Sequence, residues 1–344
     1  SLFLDKVFGN GAFSYWQGMD FGVYLSPWDM HDERYGTDAY NDYFCNQLTE
    51  LLTNYGEIFE VWFDGAKGSN AKKFEYDWQR YYDLIRKLQP KANIAICGPD
   101  IRWVGNEGGK SRKSEYSVVP CALREADRIM ALSQQDENQA SSLQKYNQMD
   151  EDLGSRKILE KNAYICWFPA EVDVSIRKGW FFHEKDNRNS KSAKKLFKIY
   201  LNSVGNNCTL LLNIPPTPQG EIHKKDAKNL KKLGSMIKNI TANPIVYNEL
   251  GELTKDNGVL DFDFNDTRKV KYVVLQEDIA KSQRVELFDL YIKKANGKYK
   301  RVYKGTVIGS KKIINLKGKK ANGIRFVIRQ SRSNPVIKSI GIYE

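Results

Sequence analysis

The stretch Glu57–Gly68, EIFEVWFDGAKG, decides how the chain is read. Ile58, Phe59, Val61, Trp62 and Phe63 make the kind of apolar run found in parallel strands covered on both faces. Asp64 and Gly65 end it. A carboxylate at the end of such a strand costs free energy to bury unless it is paired or opens into a cleft. Asp64 therefore needs a partner or a task, and capping a turn is the commonplace one.

Outward from this strand, short apolar runs alternate with amphipathic helical patterns. FGVYLSP (21–27) reads as a strand and DAYNDYFCNQLTELLTNYG (38–56) as a helix closed by a C′ glycine. After the strand at 57–63 come a helix at 74–90 and strands at 93–100 and 163–169, then a helix at 192–205, a strand at 208–216 and a helix at 224–240. Alternation with short connections predicts an α/β fold with a parallel sheet, open or closed as a barrel. Beyond TANPIVYN (241–248) the pattern changes to alternating apolar and polar residues with Asn-Gly turn pairs, which predicts an antiparallel β-sandwich. The expected domains are thus 1–243 and 244–344.

The charge follows the same division. The net charge of the 344 residues is +12, but residues 245–344 hold 21 Lys and Arg against 11 Asp and Glu. Residues 1–244 hold 33 against 31, so the larger part is nearly neutral and shows no basic stripe beside its strand ends. Lysine-rich edge strands account for the tail without a nucleic-acid partner. Five cysteines without CxxC spacing and three histidines without HxxxH or HxH spacing argue against a metal centre. No run of 18 apolar residues marks a membrane span, and no leader pattern is present. No cofactor motif is visible.

Three strand ends are polar and aromatic. Asp64 and Gly65 form the first. CGPDIRWVGNEGG (97–109) supplies Asp100, Arg102, Trp103, Asn106 and Glu107, and YLSPWDMH (24–31) supplies Tyr24, Trp28, Asp29 and His31. In β/α barrels catalytic groups sit at the C-terminal ends of strands. Two carboxylates beside an aromatic wall are what glycosidic-bond cleavage requires, one attacking the sugar and the other passing a proton.

VWFDGA, GPDIRWVGNEGG, DVSIRKGWFFHE and SVGNNCTLLLNIPPTPQGEI, in that order over about residues 19–240, resemble the α-L-fucosidases of glycoside hydrolase family 29. The likeness is strongest to the subgroup acting on α-1,3/1,4-linked fucose, and the tail is similar to the β-sandwich modules such enzymes carry, where a carbohydrate-binding role is open. The resemblance implies a (β/α)8-like TIM barrel followed by the sandwich, a fucosylated glycan as partner, no metal or other cofactor, and a periplasmic or secreted location. It implies a retaining double displacement with Asp64 as nucleophile and Glu107 as acid/base, their carboxyl groups facing each other about 5–5.5 Å apart. Tyr24 would reach the sugar or Asp64, with a core tyrosine as the competing reading. Trp180 would line the apolar wall for the fucose methyl, with ordinary packing beside Phe181 as the competitor. Arg102 would hold Asp64 charged and bind a hydroxyl, or serve a structural ion pair. Trp28 and His31 would contact the rest of the glycan, or Trp28, Asp29 and His31 would stabilise their loop. Asp100, Glu115, Glu171, Asp173 and Glu184 are rivals to Glu107.

The chain departs from the family at its start. The His-Trp-Gly and His-His-Asp-Gly-Phe strand ends that bind fucose hydroxyls in the family do not occur, and SLFLDKVFGNGAFSYWQG (1–18) is too short for two βα units. Either segments are absent from this chain, with a junction near GNGAFSYWQGM, or the protein is a truncation without activity. The long unpaired edges of a barrel short of two strands favour the first. A carbohydrate-binding protein without catalysis, a retaining glycosidase for another sugar and a nucleic-acid binder working through the tail are the other readings.

Overall fold

The computed structural model describes residues 18–65, 74–125, 146, 149–253 and 258–344. Most of the opening stretch, with much of the expected junction, lies outside the described residues. The chain forms two compact units. One is built from Ser1–Gly105, Cys121–Gln148 and Cys166–Phe168, the other from Asn106–Pro120, Met149–Ile165 and Pro169–Glu344.

The first unit is organised by three parallel strands, β1 (Gly22–Leu25), β2 (Glu60–Phe63) and β3 (Asn93–Ile96), in the order β1-β2-β3. Helix α1 (Asp38–Asn54) joins β1 to β2, and α2 (Trp78–Leu88) joins β2 to β3. The register is in step across all three, with Tyr24 opposite Trp62 and Trp62 opposite Ala95. α1 buries Tyr40, Phe44, Leu48, Leu51 and Leu52, a stripe at helical spacing. It stops at the expected glycine, Gly56, whose φ of 86° a side-chain-bearing residue seldom adopts. α2 starts later than the sequence predicts because the Asp77 side chain caps it, accepting from the backbone N of Arg80 at 3.2 Å. Phe44 packs on Tyr81 and Phe63 at 4.5 and 5.8 Å between ring centres, which seats both helices on one face of the sheet.

The expectation that strand 57–63 is covered on both faces is corrected. Val61 and Phe63 are fully buried against the helices, whereas Trp62 is half-buried on the opposite side, and Phe59, just before the strand, is 50% exposed. Alternation along a strand sends successive side chains to opposite faces, and only one face of β2 meets the helices. A two-residue strand, β4 (Arg102–Trp103), follows β3 in the first unit.

The second unit contains β5 (Val118–Pro120), the single-turn helix α3 (Arg156–Leu159), β7 (Ala170–Ser175), α4 (Ala193–Ser203), β8 (Thr209–Asn213) and α5 (Lys224–Lys238). The chain passes from this unit into the first within β6 (Ile165–Trp167). The single strand expected at 163–169 is therefore only β6. β7, which the apolar pattern does not reveal, is buried at all six positions and pairs in parallel with β8, Ser175 opposite Asn213.

The C-terminal part is wholly antiparallel: β9 (Pro244–Glu252), β10 (Val259–Glu277), β11 (Val285–Lys293), β12 (Tyr299–Gly305), β13 (Lys312–Ser331) and β14 (Val336–Tyr343), in the order β12-β11-β13-β10-β14-β9. β10 and β13 run 19 and 20 residues, and their pairing is interrupted by register shifts that let long strands bend over a shared core of Phe288, Phe326, Ile340 and their neighbours. This agrees with the expected sandwich. None of the described helices is long and apolar enough to cross a membrane.

The sheet is fastened to the rest of its unit by the turn between α4 and β8. Asn207, buried and at a φ of 69°, donates to the Glu115 carbonyl at 2.8 Å and to Ser117 Oγ at 3.1 Å, and accepts from the backbone N and Oγ of Ser310 at 2.8 and 3.0 Å. Beside it Lys312, 2% exposed, donates from Nζ to Asn206 Oδ1 at 2.8 Å and to the Lys113 carbonyl at 3.2 Å. Burial disfavours its charged form and pulls its pKa from 10.5 down to about 8. Between those values the unfolded chain holds a proton on this lysine that the folded chain has released, so stability rises with pH across the window, by up to about 3 kcal/mol. Urea unfolding at pH 7, 9 and 10.5 is expected to show that rise in the parent protein and a flatter profile in Lys312→Met, which keeps the bulk without the titration. Parallel profiles would contradict it.

Candidate functional site

Tyr24 is the third residue of β1, and in-step parallel pairing puts it on the same face of the sheet as Trp62. Their rings stack with centres 5.4 Å apart and planes at 24°. Asp64 is two residues beyond Trp62 and so leaves the strand on that same face. The Tyr24 hydroxyl donates a short hydrogen bond to Asp64 Oδ2. Desolvation of the phenol, followed by the hydrogen bond to Asp64 and the charge on its carboxylate, raises the Tyr24 pKa well above the ordinary tyrosine value, so the hydroxyl remains a donor. Asp64 is thus met, just beyond the end of β2, by a donor presented on an aromatic platform.

The loop after β1 is shaped by its short polar side chains. Asp29 Oδ1 accepts from the backbone N of His31 at 2.7 Å and of Asp32 at 3.0 Å, and Ser26 Oγ accepts from the backbone N of Trp28 at 3.2 Å. Asp29 therefore has the loop-stabilising role. Trp28 is half-buried and His31 is exposed on this loop. Arg102 is fully buried and donates from Nε to the Phe168 carbonyl at 3.2 Å.

Glu107 lies in the second unit, exposed on a turn made by Asn106. Asn106 Oδ1 accepts from the backbone N of Gly108 at 3.0 Å, while its Nδ2 donates to the Lys110 carbonyl at 2.9 Å. Gly109, at a φ of 70°, lies so close to Ile199 of α4 that a Cβ there would come within 3.1 Å of its side chain. The turn is fixed from within and from below. Trp180 Nε1 donates to Glu107 Oε2 at 3.2 Å. The second sequence-predicted carboxylate thus also has an aromatic donor.

What holds Trp180 was not legible as function. Asn213, the last residue of β8, donates from Nδ2 to the Trp180 carbonyl at 3.0 Å and to Ser175 Oγ at 3.1 Å. Ser175, the last residue of β7, donates in turn to the Gly179 carbonyl at 2.7 Å. Beyond, Arg177 and Asp226 are both wholly buried and paired, Nε to Oδ2 at 2.8 Å, and Arg177 Nη1 donates to Asn187 Oδ1 at 2.9 Å. The signal was present in principle: TLLLN ends in a polar side chain after an apolar run, as VWFD does.

The rivals of Glu107 lie in other settings. Asp100 takes Arg86 Nη2 at 2.6 Å on Oδ1 and the backbone N of Ile94 at 2.8 Å on Oδ2. Glu115 is buried against Arg112, whose backbone N it accepts at 2.8 Å. Glu171 and Asp173 are buried within β7, and Glu184 opens an exposed short 3-10 helix. Among the described residues no three His, Cys, Asp or Glu side chains are grouped so as to hold a metal ion.

The sequence profile of the α-L-fucosidase family matches residues 11–241, a span that contains both carboxylates and stops before the C-terminal sheet. The chain belongs to the α-L-fucosidase family. Alpha-L-fucosidase 1 of Arabidopsis thaliana is 33% identical over 95% of the chain and 66% of its own length. A Bacteroides ovatus crystal structure described as that of a candidate α-L-fucosidase is 44% identical, with a TM-score of 0.84 over 96% of this chain and 56% of that one. A Ruminococcus gnavus fucosidase of glycoside hydrolase family 29, solved in complex with fucose, is 25% identical, with a TM-score of 0.80 over 98% of this chain and 74% of that one. The chain therefore spans just under two thirds of the curated relative and little more than half of the Bacteroides protein.

Asn213→Ala removes the donor shared by Trp180 and Ser175 and leaves a partly buried carbonyl without its partner, which is expected to destabilise the fold by about 1–3 kcal/mol. Urea unfolding checks the loss, and hydrogen exchange is expected to speed up over residues 175–181 ahead of the rest of the chain.

Proposed function

We propose that this chain is a retaining exo-α-L-fucosidase that releases terminal fucose from α-1,3/1,4-fucosylated oligosaccharides. The observation that carries the reading is that Asp64 and Glu107, the two carboxylates of the family motifs, each accept a hydrogen bond from an aromatic side chain, Tyr24 and Trp180. Membership of the α-L-fucosidase family and the fucose complex of the Ruminococcus relative support fucose as the sugar.

In the proposed reaction Tyr24 holds Asp64 Oδ2 and orients the carboxylate for attack on the anomeric carbon. The bond from that carbon to the glycosidic oxygen breaks as Glu107 passes its proton to the leaving oxygen, giving a fucosyl ester of Asp64. Water then attacks the same carbon, Glu107 takes its proton, and the ester bond to Asp64 breaks, so the configuration is retained. Trp180 lines the side of the fucose methyl, where an apolar wall contributes on the order of 1 kcal/mol. Arg102 binds a sugar hydroxyl, and Trp28 and His31 meet the rest of the glycan. No metal or other cofactor takes part.

The same reading assigns residues 1–243 to a (β/α)8-like TIM barrel and 244–344 to an accessory β-sandwich, in a periplasmic or secreted enzyme. The parallel strands β1-β2-β3 and β7-β8, with Asp64 directly after β2 and Ser175 and Asn213 ending β7 and β8, support the barrel.

The test is fucose release from α-1,2-, α-1,3- and α-1,4-fucosylated trisaccharides. Release from the last two is expected to dominate, and both Asp64→Gly and Glu107→Ala are expected to lose roughly 10³-fold or more in kcat/KM on them. Azide should then divide the roles, Asp64→Gly yielding the β-fucosyl azide and Glu107→Ala the α-fucosyl azide. No fucose release by the unmutated protein, or azide products of the opposite pattern, rejects the assignment.

A further inference from the structure

Phe181 is 78% exposed, although both of its neighbours are fastened. On one side the Trp180 carbonyl is held by Asn213 at 3.0 Å and the Trp180 indole N–H by Glu107 at 3.2 Å. On the other, the Phe182 ring packs 4.5 Å from the Arg177 guanidinium carbon, and that arginine is locked in its buried pair with Asp226. The phenyl ring is thus held out into solvent by an anchored backbone. A single exposed phenylalanine needs no explanation. One presented from a fixed loop, a residue away from the indole that touches the proposed acid/base, has a location that chemistry can interpret.

A general acid that protonates a glycosidic oxygen touches the bond between the sugar that stays and the sugar that leaves. Surface beside such an acid therefore meets the leaving sugar. Of the consecutive aromatics Trp180, Phe181 and Phe182, Phe181 alone is exposed, so it offers the open aromatic face on this loop. A pyranose ring presents a face of C–H groups, which packs on an aromatic ring and needs no charged partner; pockets for small ligands are commonly lined in this way.

We propose that Phe181 is the platform on which the departing sugar stacks, and that it sets which fucosylated glycans turn over fastest. The inference rests on the reading of Glu107 as acid/base. It makes Phe181 a specificity-determining residue of the leaving-group side.

Two substrates separate that role from others. An α-1,3-fucosylated trisaccharide leaves a disaccharide behind, whereas α-L-fucosyl fluoride has no leaving sugar. For Phe181→Ala, kcat/KM on the trisaccharide is expected to fall about tenfold, mostly through KM, which is the loss of roughly one aromatic contact. Activity on the fluoride should stay as in the parent. Phe181→Leu, which keeps apolar bulk without a flat face, is expected to behave like Phe181→Ala, and Phe181→Trp to recover the trisaccharide activity. Equal losses on both substrates, no loss on the trisaccharide, or full rescue by leucine overturns the platform. If the parent protein cleaves both substrates and the variants match it, the platform alone fails. If the parent cleaves neither, the fucosidase reading fails and the platform with it.

Discussion

The in-step parallel pairing of β1 with β2 is the constraint on which the setting of Asp64 depends. Because Tyr24 lies opposite Trp62, its ring stacks there, and its hydroxyl reaches the carboxylate that follows two residues on. A slip of one residue would send Tyr24 to the helix-covered face, where Val61 and Phe63 are packed, and leave Asp64 without this donor. The register is itself protected by that packing, since Phe63, Phe44 and Tyr81 form one aromatic contact set with both helices. Core and site are the two faces of one strand.

Glu107 is held in a different way. Its carboxylate stands on a turn, and what gives it definition is a relay of hydrogen bonds from the ends of β7 and β8: Asn213 to Ser175 and to Trp180, Trp180 to Glu107. Underneath, a fully buried arginine–aspartate pair anchors the same loop to the first turn of α5. Burying two charges is costly unless their geometry and further hydrogen bonds are good, and Asn187 supplies one of those bonds. Placing such a pair beneath a loop that carries Trp180 and Phe181 trades stability for a defined surface.

The C-terminal sheet is joined to this second unit through Asn207 and Lys312, whose side chains satisfy backbone and side-chain groups on both sides of the junction. Its contribution to the site is therefore indirect: it braces the α4–β8 turn, and β8 ends in Asn213. Of the basic residues of 245–344, buried Lys312 takes part in this junction, and Arg332 adds a hydrogen bond to the Gly154 carbonyl.

Much was legible in the sequence where a local rule has one outcome. An apolar run ending in Asp64 marked the end of β2, Gly56 marked the end of α1, and the Asn296–Gly297 pair formed the hairpin turn between β11 and β12, with Gly297 at a φ of 76°. Other features depended on partners far along the chain. Asn322–Gly323 has the same letters but lies inside β13, where Gly323 passes close to the backbone of Phe262 and Asp263. β7 escaped notice because Glu171 and Asp173 interrupt its apolar pattern, yet all six of its residues are buried. Sequence determined which segments had to bury apolar surface and which carboxylates ended strands, because periodicity and caps act over a few residues. Tertiary structure alone decided which face of β2 met the helices, which acids were neutralised by arginine and which met an aromatic donor, because those outcomes depend on the side chain that a distant strand or loop brings within reach.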